Sequence, residues 1–444
     1  MSNDELFKLS AVEARARLEN GEFSAEDLTQ ACLTRITERE GTVRAWAYLN
    51  EEFALKHARA LDLSLNSGEP LGHLHGVPVG IKDIIDTNDM PTECGSEFYK
   101  GRQPLEDSAV VTLLRRAGAI ILGKTVTTEM ALSSPGETTN PHDPKRTPGG
   151  SSSGSAAAVG DCMVPLAVGS QTGGSVIRPA SFCGIFGYKP TFGSISRRGM
   201  SLLARRLDHV GVYGRSVDDL ALIGDTLMTY DPADWDMLKF PGQNLVSELN
   251  KKISTSPRIA FVRGPVWEQA DDDMVAAIES LVKDLGKGIQ DVELEGLFSN
   301  IVECHITIMN ANLAAYLGKR VLEFPEKFRT KTIQRVENGR NITAENYIQA
   351  LNLAEAQANA MDCLFDHYDV LFTPAAPGQA PIGLESTGKA IFNGMWTLMG
   401  HPTVSVPILI GKEGMPIGLQ IVGRRGNDAM VMRVAKWLWE RFRN

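Results

Sequence analysis

Two glycine-rich stretches and one lysine carry the side chains best suited to chemistry. The run Gly169-Ser170-Gln171-Thr172-Gly173-Gly174-Ser175-Val176-Ile177-Arg178 presents Ser175 directly after two glycines, and Pro179-Ala180-Ser181-Phe182-Cys183-Gly184 follows. A serine delivered on so tight a backbone has the setting of a nucleophile, but a free hydroxyl is weak and needs a base. Histidine is the usual base, and none lies within thirty residues of Ser175; the nearest are His142 and His209. Lys82 offers another. It ends the apolar run Val77-Pro78-Val79-Gly80-Ile81, where burial lowers a lysine's pKa and leaves a neutral amine. Ser151, in Gly149-Gly150-Ser151-Ser152-Ser153-Gly154-Ser155, supplies a second hydroxyl to relay a proton between Lys82 and Ser175. The backbone amides of Thr172, Gly173, Gly174 and Ser175 are then the expected oxyanion hole.

Other patterns carry less. Gly149 to Ser155 has the glycines of a phosphate loop, but Ser155 and Ala156 stand where Lys and Ser/Thr are needed. Gly150-Ser151-Ser152-Ser153-Gly154 fits a nucleophile elbow centred on Ser152, the basis of an esterase reading. That motif needs a strand before it, and Pro141, Pro144 and Pro148 break the preceding segment. Cys183, between Phe182 and Gly184, reads as a packed thiol. Ser386-x-x-Lys389 is a four-residue match without its companion motifs.

The elements that must position these groups alternate between helix and strand. Residues 1 to about 65 read as a helical segment, with a capping box at Ser24-Ala25-Glu26-Asp27 ahead of Leu28, Cys32, Leu33 and Ile36 on one face. Strands are expected at 77–83, 119–123, 163–168, 258–262, 369–374, 403–410 and 417–422, with helices at about 108–117 and 427–442. This alternation predicts an α/β layered fold. Residues 133–154 lose apolar periodicity and read as a long functional loop feeding a tightly packed helix at Ala156-Ala157-Ala158. No Pro/Gly-rich linker divides the 444 residues, so a single domain is expected.

Composition narrows the function classes. The net charge of −9 disfavours direct nucleic-acid binding, which needs a basic face. No run approaches the length of a membrane span, and the N-terminus is not a signal peptide. The six cysteines are scattered without a Cys-x-x-Cys pair, which suggests reduced thiols in the cytoplasm and no zinc site.

Taken in order, Gly80-Ile81-Lys82-Asp83, Gly149 to Ala158, Thr172-Gly173-Gly174-Ser175, Ser181 to Thr191, Leu207-Asp208-His209-Val210-Gly211 and Pro416 to Gly423 resemble the amidase signature family over nearly the whole chain. The resemblance implies one α/β/α domain around a large mixed β-sheet. It also implies a triad of Lys82, a relay Ser151 in a cis peptide, and the nucleophile Ser175. The reaction it implies is hydrolysis of a small amide through an acyl-enzyme, with no metal or organic cofactor. A homodimer is the assembly it suggests. The substrate pocket is expected from loop 126–148 and from Phe392 to His401, with Met130, Asn393 and Trp396 as contacts. The runner-up is a glutaminase subunit of a tRNA-dependent amidotransferase, working with partner subunits. A catalytically dead scaffold is the reading from another class.

Three features sit uneasily with that pattern. Asp83 and Asp86 lie close to Lys82, and a neighbouring carboxylate would raise the lysine pKa unless it is engaged elsewhere. The family commonly has an acid at the place of Gln171 and an arginine at the place of Ile177, with Arg178 one position later here. A neutral arrangement that still shapes the Ser175 loop is expected in place of an ion pair.

Overall fold

The structure, a computed structural model, describes residues 3–239, 244–251, 253, 256–286 and 288–442. The extreme ends of the expected domain, residues 1–2 and 443–444, lie outside the described residues. Eleven strands form one sheet: β1 Trp46–Leu49, β2 Pro78–Lys82, β3 Ile120–Thr125, β4 Leu166–Gln171, β5 Phe186–Lys189, β6 His209–Gly214, β7 Ile259–Arg263, β8 Ile289–Glu293, β9 Val370–Pro374, β10 Thr403–Ile410 and β11 Pro416–Val422. Their order is β1-β3-β2-β4-β6-β5-β10-β11-β9-β7-β8. β2 runs parallel to both β3 and β4, whereas β4 and β5 run antiparallel to β6, so the sheet is mixed.

Strand alternation divides the core into two layers. On β3, Ile120 and Leu122 join one apolar cluster with helices Ala25–Val43 and Ser153–Gly160, while Ile121 joins the other. That second cluster collects helices Val217–Leu227, Ile301–Glu323, Ala344–Leu364 and Asp428–Phe442 on the opposite face. Helices on both faces of one continuous sheet make the expected α/β/α single-domain architecture. Among the described residues, no helix is long and apolar enough to cross a membrane.

Most of the expected elements form, with instructive shifts. The Ser24 capping box is present, with the Ser24 hydroxyl accepting from Asp27 N. The strand expected at 163–168 starts instead at Leu166, after Pro165, which has no N–H for the ladder. β1 interrupts the N-terminal helical segment and pairs antiparallel with β3. It escapes sequence reading because only four residues are extended. The expected loop at 133–154 ends in helix Ser153–Gly160, whose Gly154 lies so close to the Ala45 carbonyl that an added Cβ would sit 2.2 Å from its oxygen.

Candidate active site

The site lies where β2, β4 and the loop before helix Ser153–Gly160 meet. Lys82 is the last residue of β2 and is fully buried. Its Nζ stands 2.7 Å from Ser151 Oγ and 2.8 Å from Ser170 Oγ. Burial pulls its pKa down to about 7, with Asp208 opposing the shift. At neutral pH a large fraction of Lys82 is therefore the free amine, able to accept a proton. The two aspartates next in sequence are engaged elsewhere. Asp83 pairs with Lys124 at 3.3 Å, and Asp86 takes a bidentate contact from Arg102 at 2.7 and 2.8 Å.

Ser151 follows a cis Gly150–Ser151 peptide. The Gly150 carbonyl accepts a hydrogen bond from Arg178 Nη2, which also donates to Thr387 Oγ1. The adjacent hydroxyl, Ser152, is fully buried and clamps the backbone of Ser170, donating to its carbonyl at 3.1 Å and accepting from its N–H at 3.2 Å. No strand leads directly into it, the chain from Leu132 to Ser152 being loop. Ser152 thus lacks both the exposure and the elbow that an esterase nucleophile requires.

Ser175 is half-buried and lines a cavity of about 300 Å³. Its loop is held by its carbonyls. His305 Nε2 is 2.8 Å from Thr172 O, Thr397 Oγ1 donates to Gly173 O at 2.6 Å, Arg178 N to Gly174 O at 3.1 Å, and Tyr213 Oη to Ser175 O at 3.0 Å. The N–H groups of Gly173, Gly174 and Ser175 have no hydrogen-bond partner among the described residues. Carbonyls tied on one side and amides free on the other form a nest that can meet a developing oxyanion. Thr172 keeps its own side chain busy, its hydroxyl donating to Asp208 Oδ1 at 2.5 Å.

Gln171 is fully buried and points inward. Its Oε1 accepts from Val176 N and Ile177 N at 2.8 and 3.1 Å, and its Nε2 donates to Thr397 Oγ1 at 3.0 Å. A neutral amide therefore shapes the loop in place of an ion pair.

No histidine serves as a ready base here. His209 is buried, bonded to Leu207 O at 2.6 Å and pushed well below its ordinary pKa by desolvation. His142 is tied to Cys183 O at 2.9 Å. His305 reaches the cavity, but burial lowers its pKa to about 4 and its Nε2 is committed to the Thr172 carbonyl. Cys183 is fully buried and its thiol pKa is raised by desolvation, so it is a packed and unreactive group. Ser386 and Lys389 are exposed, and Ser386 Oγ accepts from Gly388 N.

The expected pocket contacts need correction. Met130, Asn393 and Trp396 are core residues and do not line the Ser175 cavity; their neighbours Ala131, Gly394 and Met395 do. Asn393 instead donates to Ala375 O and Gln420 Oε1, and Trp396 packs edge-on against His401. Sequence reasoning also missed Ser170, His305 and Arg335. Ser170 was visible one place before Gln171. His305 and Arg335 sit in helical periodicity far along the chain, where nothing local marks them.

The chain is similar to known proteins over most of its length. The sequence pattern of the family described as Amidase matches residues 27–432. A relative from Natranaerobius thermophilus, named as one subunit of a glutamyl-tRNA(Gln) amidotransferase, is 33% identical over 97% of this chain and 95% of its own length. The native peptide amidase of Stenotrophomonas maltophilia superposes with a TM-score of 0.85 at 27% identity, covering 98% of this chain and 97% of its own. A chain solved in work described as "An unexpected vestigial protein complex reveals the evolutionary origins of an s-triazine catabolic enzyme" superposes with a TM-score of 0.91 at 28% identity, covering 98% of each chain. The chain belongs to the amidase family.

Proposed function

We propose that the chain is an amidase that cleaves the carbon–nitrogen bond of a small amide through an acyl-enzyme on Ser175. The observation that carries this reading is the buried amine of Lys82 at 2.7 Å from Ser151 Oγ, with its pKa near 7. Lys82 takes the Ser151 proton as Ser151 takes the Ser175 proton, and Ser175 Oγ bonds to the amide carbon. The free N–H groups of Gly173, Gly174 and Ser175 stabilise the tetrahedral oxyanion. The proton passes back to the leaving nitrogen as the C–N bond breaks, releasing ammonia or an amine. Water then attacks the ester by the same relay, forming the acid and restoring Ser175. Ser170, the second hydroxyl on Lys82 Nζ, orients the amine toward Ser151. A cytoplasmic setting goes with this reading, the cysteines being unpaired.

The test is ammonia release from a panel of primary amides by the wild type and by Ser175→Ala. The reading expects turnover that Ser175→Ala abolishes. Turnover that survives the substitution overturns it.

A second reading is supported by the names of relatives. Those 33% identical are called subunits of a Glu-tRNA(Gln) amidotransferase, and the description of one solved chain speaks of a protein complex. On this reading the chain is a glutaminase that works beside protein partners. Glutamine hydrolysis appearing only when a co-purifying partner is present would favour it over the free-standing amidase.

A further inference from the structure

Ala131, Leu132 and Ser133 form one wall of the Ser175 cavity and belong to a short turn with an unusual backbone. Met130 and Ala131, adjacent in sequence, both stand in the left-handed region, at φ 51° and 56°. Neither is glycine, and in that region an L side chain crowds its own backbone. Such residues persist only where the surroundings over-determine them. Local bonds close the turn. Ala131 N donates to Thr128 O at 2.8 Å, Leu132 N to Glu129 O at 2.9 Å, Glu129 N to Ser134 O at 3.0 Å, and Thr128 Oγ1 to Leu132 O at 2.8 Å.

The turn also touches both ends of the relay. Thr128 N donates to the Ser151 carbonyl at 3.1 Å. Met130 N donates to Cys94 O at 2.8 Å, and Cys94 N in turn to Asp83 O at 2.9 Å, one residue from Lys82. A shift of the turn therefore bears on Ser151, on the end of β2 and on the cavity wall together.

Glu129 fastens this turn from outside. It is only 3% exposed. Its carboxylate pairs with no cation among the described residues; it accepts the Arg329 N–H at 3.0 and 3.1 Å, one distance to each oxygen, and the Thr332 hydroxyl. Arg329 is the cap residue of helix Thr330–Arg340, and its own side chain makes no capping bond. In a capping box, an acid at the third helical position accepts the cap residue's N–H. Thr332 holds that position here, and Glu129, 200 residues before Arg329, supplies the acid. The same helix brings Arg335 to the cavity.

We propose that Glu129 is a positioning residue of the active site. Its bonds to the start of helix Thr330–Arg340 hold Met130 and Ala131 in their left-handed conformation, and that conformation sets the cavity wall and the place of Ser151. The effect on reaction rests on the amidase reading above, with Ser175 as nucleophile; the clamp itself rests on the turn.

The test is a double-mutant cycle. Glycine takes a left-handed conformation without penalty, so Ala131→Gly removes part of the strain that Glu129 opposes. The proteins are the wild type, Glu129→Ala, Glu129→Gln, Ala131→Gly and the double variant Glu129→Ala with Ala131→Gly. The first readout is the rate at which a fluorophosphonate probe labels Ser175, followed to each protein's own end point so that a loss of folded protein cancels. Glu129→Ala is expected to slow labelling about tenfold or more. Glu129→Gln, which can accept from Arg329 N and donate to Thr332, stays within about threefold of the wild type. In the Ala131→Gly background, Glu129→Ala costs about threefold or less. Should Glu129→Ala not fold, Thr332→Val removes one contact to the carboxylate and is read in the same cycle. Equal losses in Glu129→Ala and Glu129→Gln, or a loss unchanged by Ala131→Gly, would overturn the proposal.

The second readout is Tm over the same cycle, which does not depend on Ser175. The loss of Tm from Glu129→Ala is expected to be smaller in the Ala131→Gly background. That coupling, with no labelling of Ser175 in the wild type, keeps the clamp and removes the nucleophile. Labelling of Ser175 with additive effects on both rate and Tm keeps the nucleophile and removes the clamp.

Discussion

Asp83 is paired with Lys124 across 3.3 Å and turns away from its chain neighbour Lys82. Burial pulls both members of that pair toward neutrality, Asp83 up and Lys124 down, and each holds the other against it. The consequence for Lys82 is that no adjacent carboxylate keeps it protonated. The pH profile of kcat/KM should therefore rise with pH along a limb of apparent pKa about 7, as Lys82 loses its proton. Lys124→Met frees the Asp83 carboxylate to act on Lys82 and should move that limb upward by about one unit. A limb that stays in place in Lys124→Met would show that Asp83 never bears on Lys82.

The same shift has a sign in stability. Lys82 has a pKa of about 7 in the folded chain against 10.5 ordinarily. Between those values the unfolded chain holds more protons, so the folded state gains as pH rises through the window. Below it the ammonium is charged in both states and its burial is most costly. Lys82→Met should raise Tm by several degrees more at pH 6 than at pH 10, while abolishing turnover. Melting curves at the two pH values check this. An equal change at both would mean that Lys82 titrates normally.

Gln171 closes the Ser175 loop through two backbone N–H groups, those of Val176 and Ile177. Gln171→Leu leaves both buried and unpaired, at a cost of about 2 kcal/mol or more, and should lower kcat with it. Gln171→Glu retains both acceptor contacts and should stay within about 1 kcal/mol of the wild type. Denaturant titrations with parallel kinetics give both numbers. Equal losses in the two variants would show that the acceptor oxygen is not what shapes the loop.

His305 holds the Thr172 carbonyl at 2.8 Å, next to the free amides of the Ser175 loop. His305→Phe should lower kcat about tenfold or more with a smaller effect on KM, because the free amides lose their aim. His305→Gln, which can still donate to that carbonyl, should recover part of the loss. With a pKa near 4, His305 contributes no limb between pH 5 and 8. A wild-type profile whose limb near neutrality vanishes in His305→Gln would assign that limb to the histidine instead of Lys82.

Much of this was legible before the fold. Lys82 at the end of an apolar run, and serines after paired glycines, are local signals, because the backbone that delivers them is built from adjacent residues. The Lys82–Ser151 contact joins positions that the sequence had already singled out. What stayed hidden depends on distant packing. Ser170 gains meaning only when β4 lies beside β2. His305 and Arg335 come from helices more than a hundred residues downstream, where a polar residue in an amphipathic pattern looks like surface. The error at Asn393 and Trp396 has the same origin. The short helix Gly394–Leu398 turns Trp396 into the core and leaves Gly394 and Met395 facing the cavity, a phase that composition does not set.

The proposed chemistry depends first on Ser175 being the nucleophile. Treatment with a fluorophosphonate probe, followed by intact mass and peptide mapping of the wild type and of Ser175→Ala, tests it most directly. A single adduct is expected on the wild type, mapped to Ser175 and lost in the variant. An adduct that persists in Ser175→Ala, on Ser152 or any other serine, would contradict it.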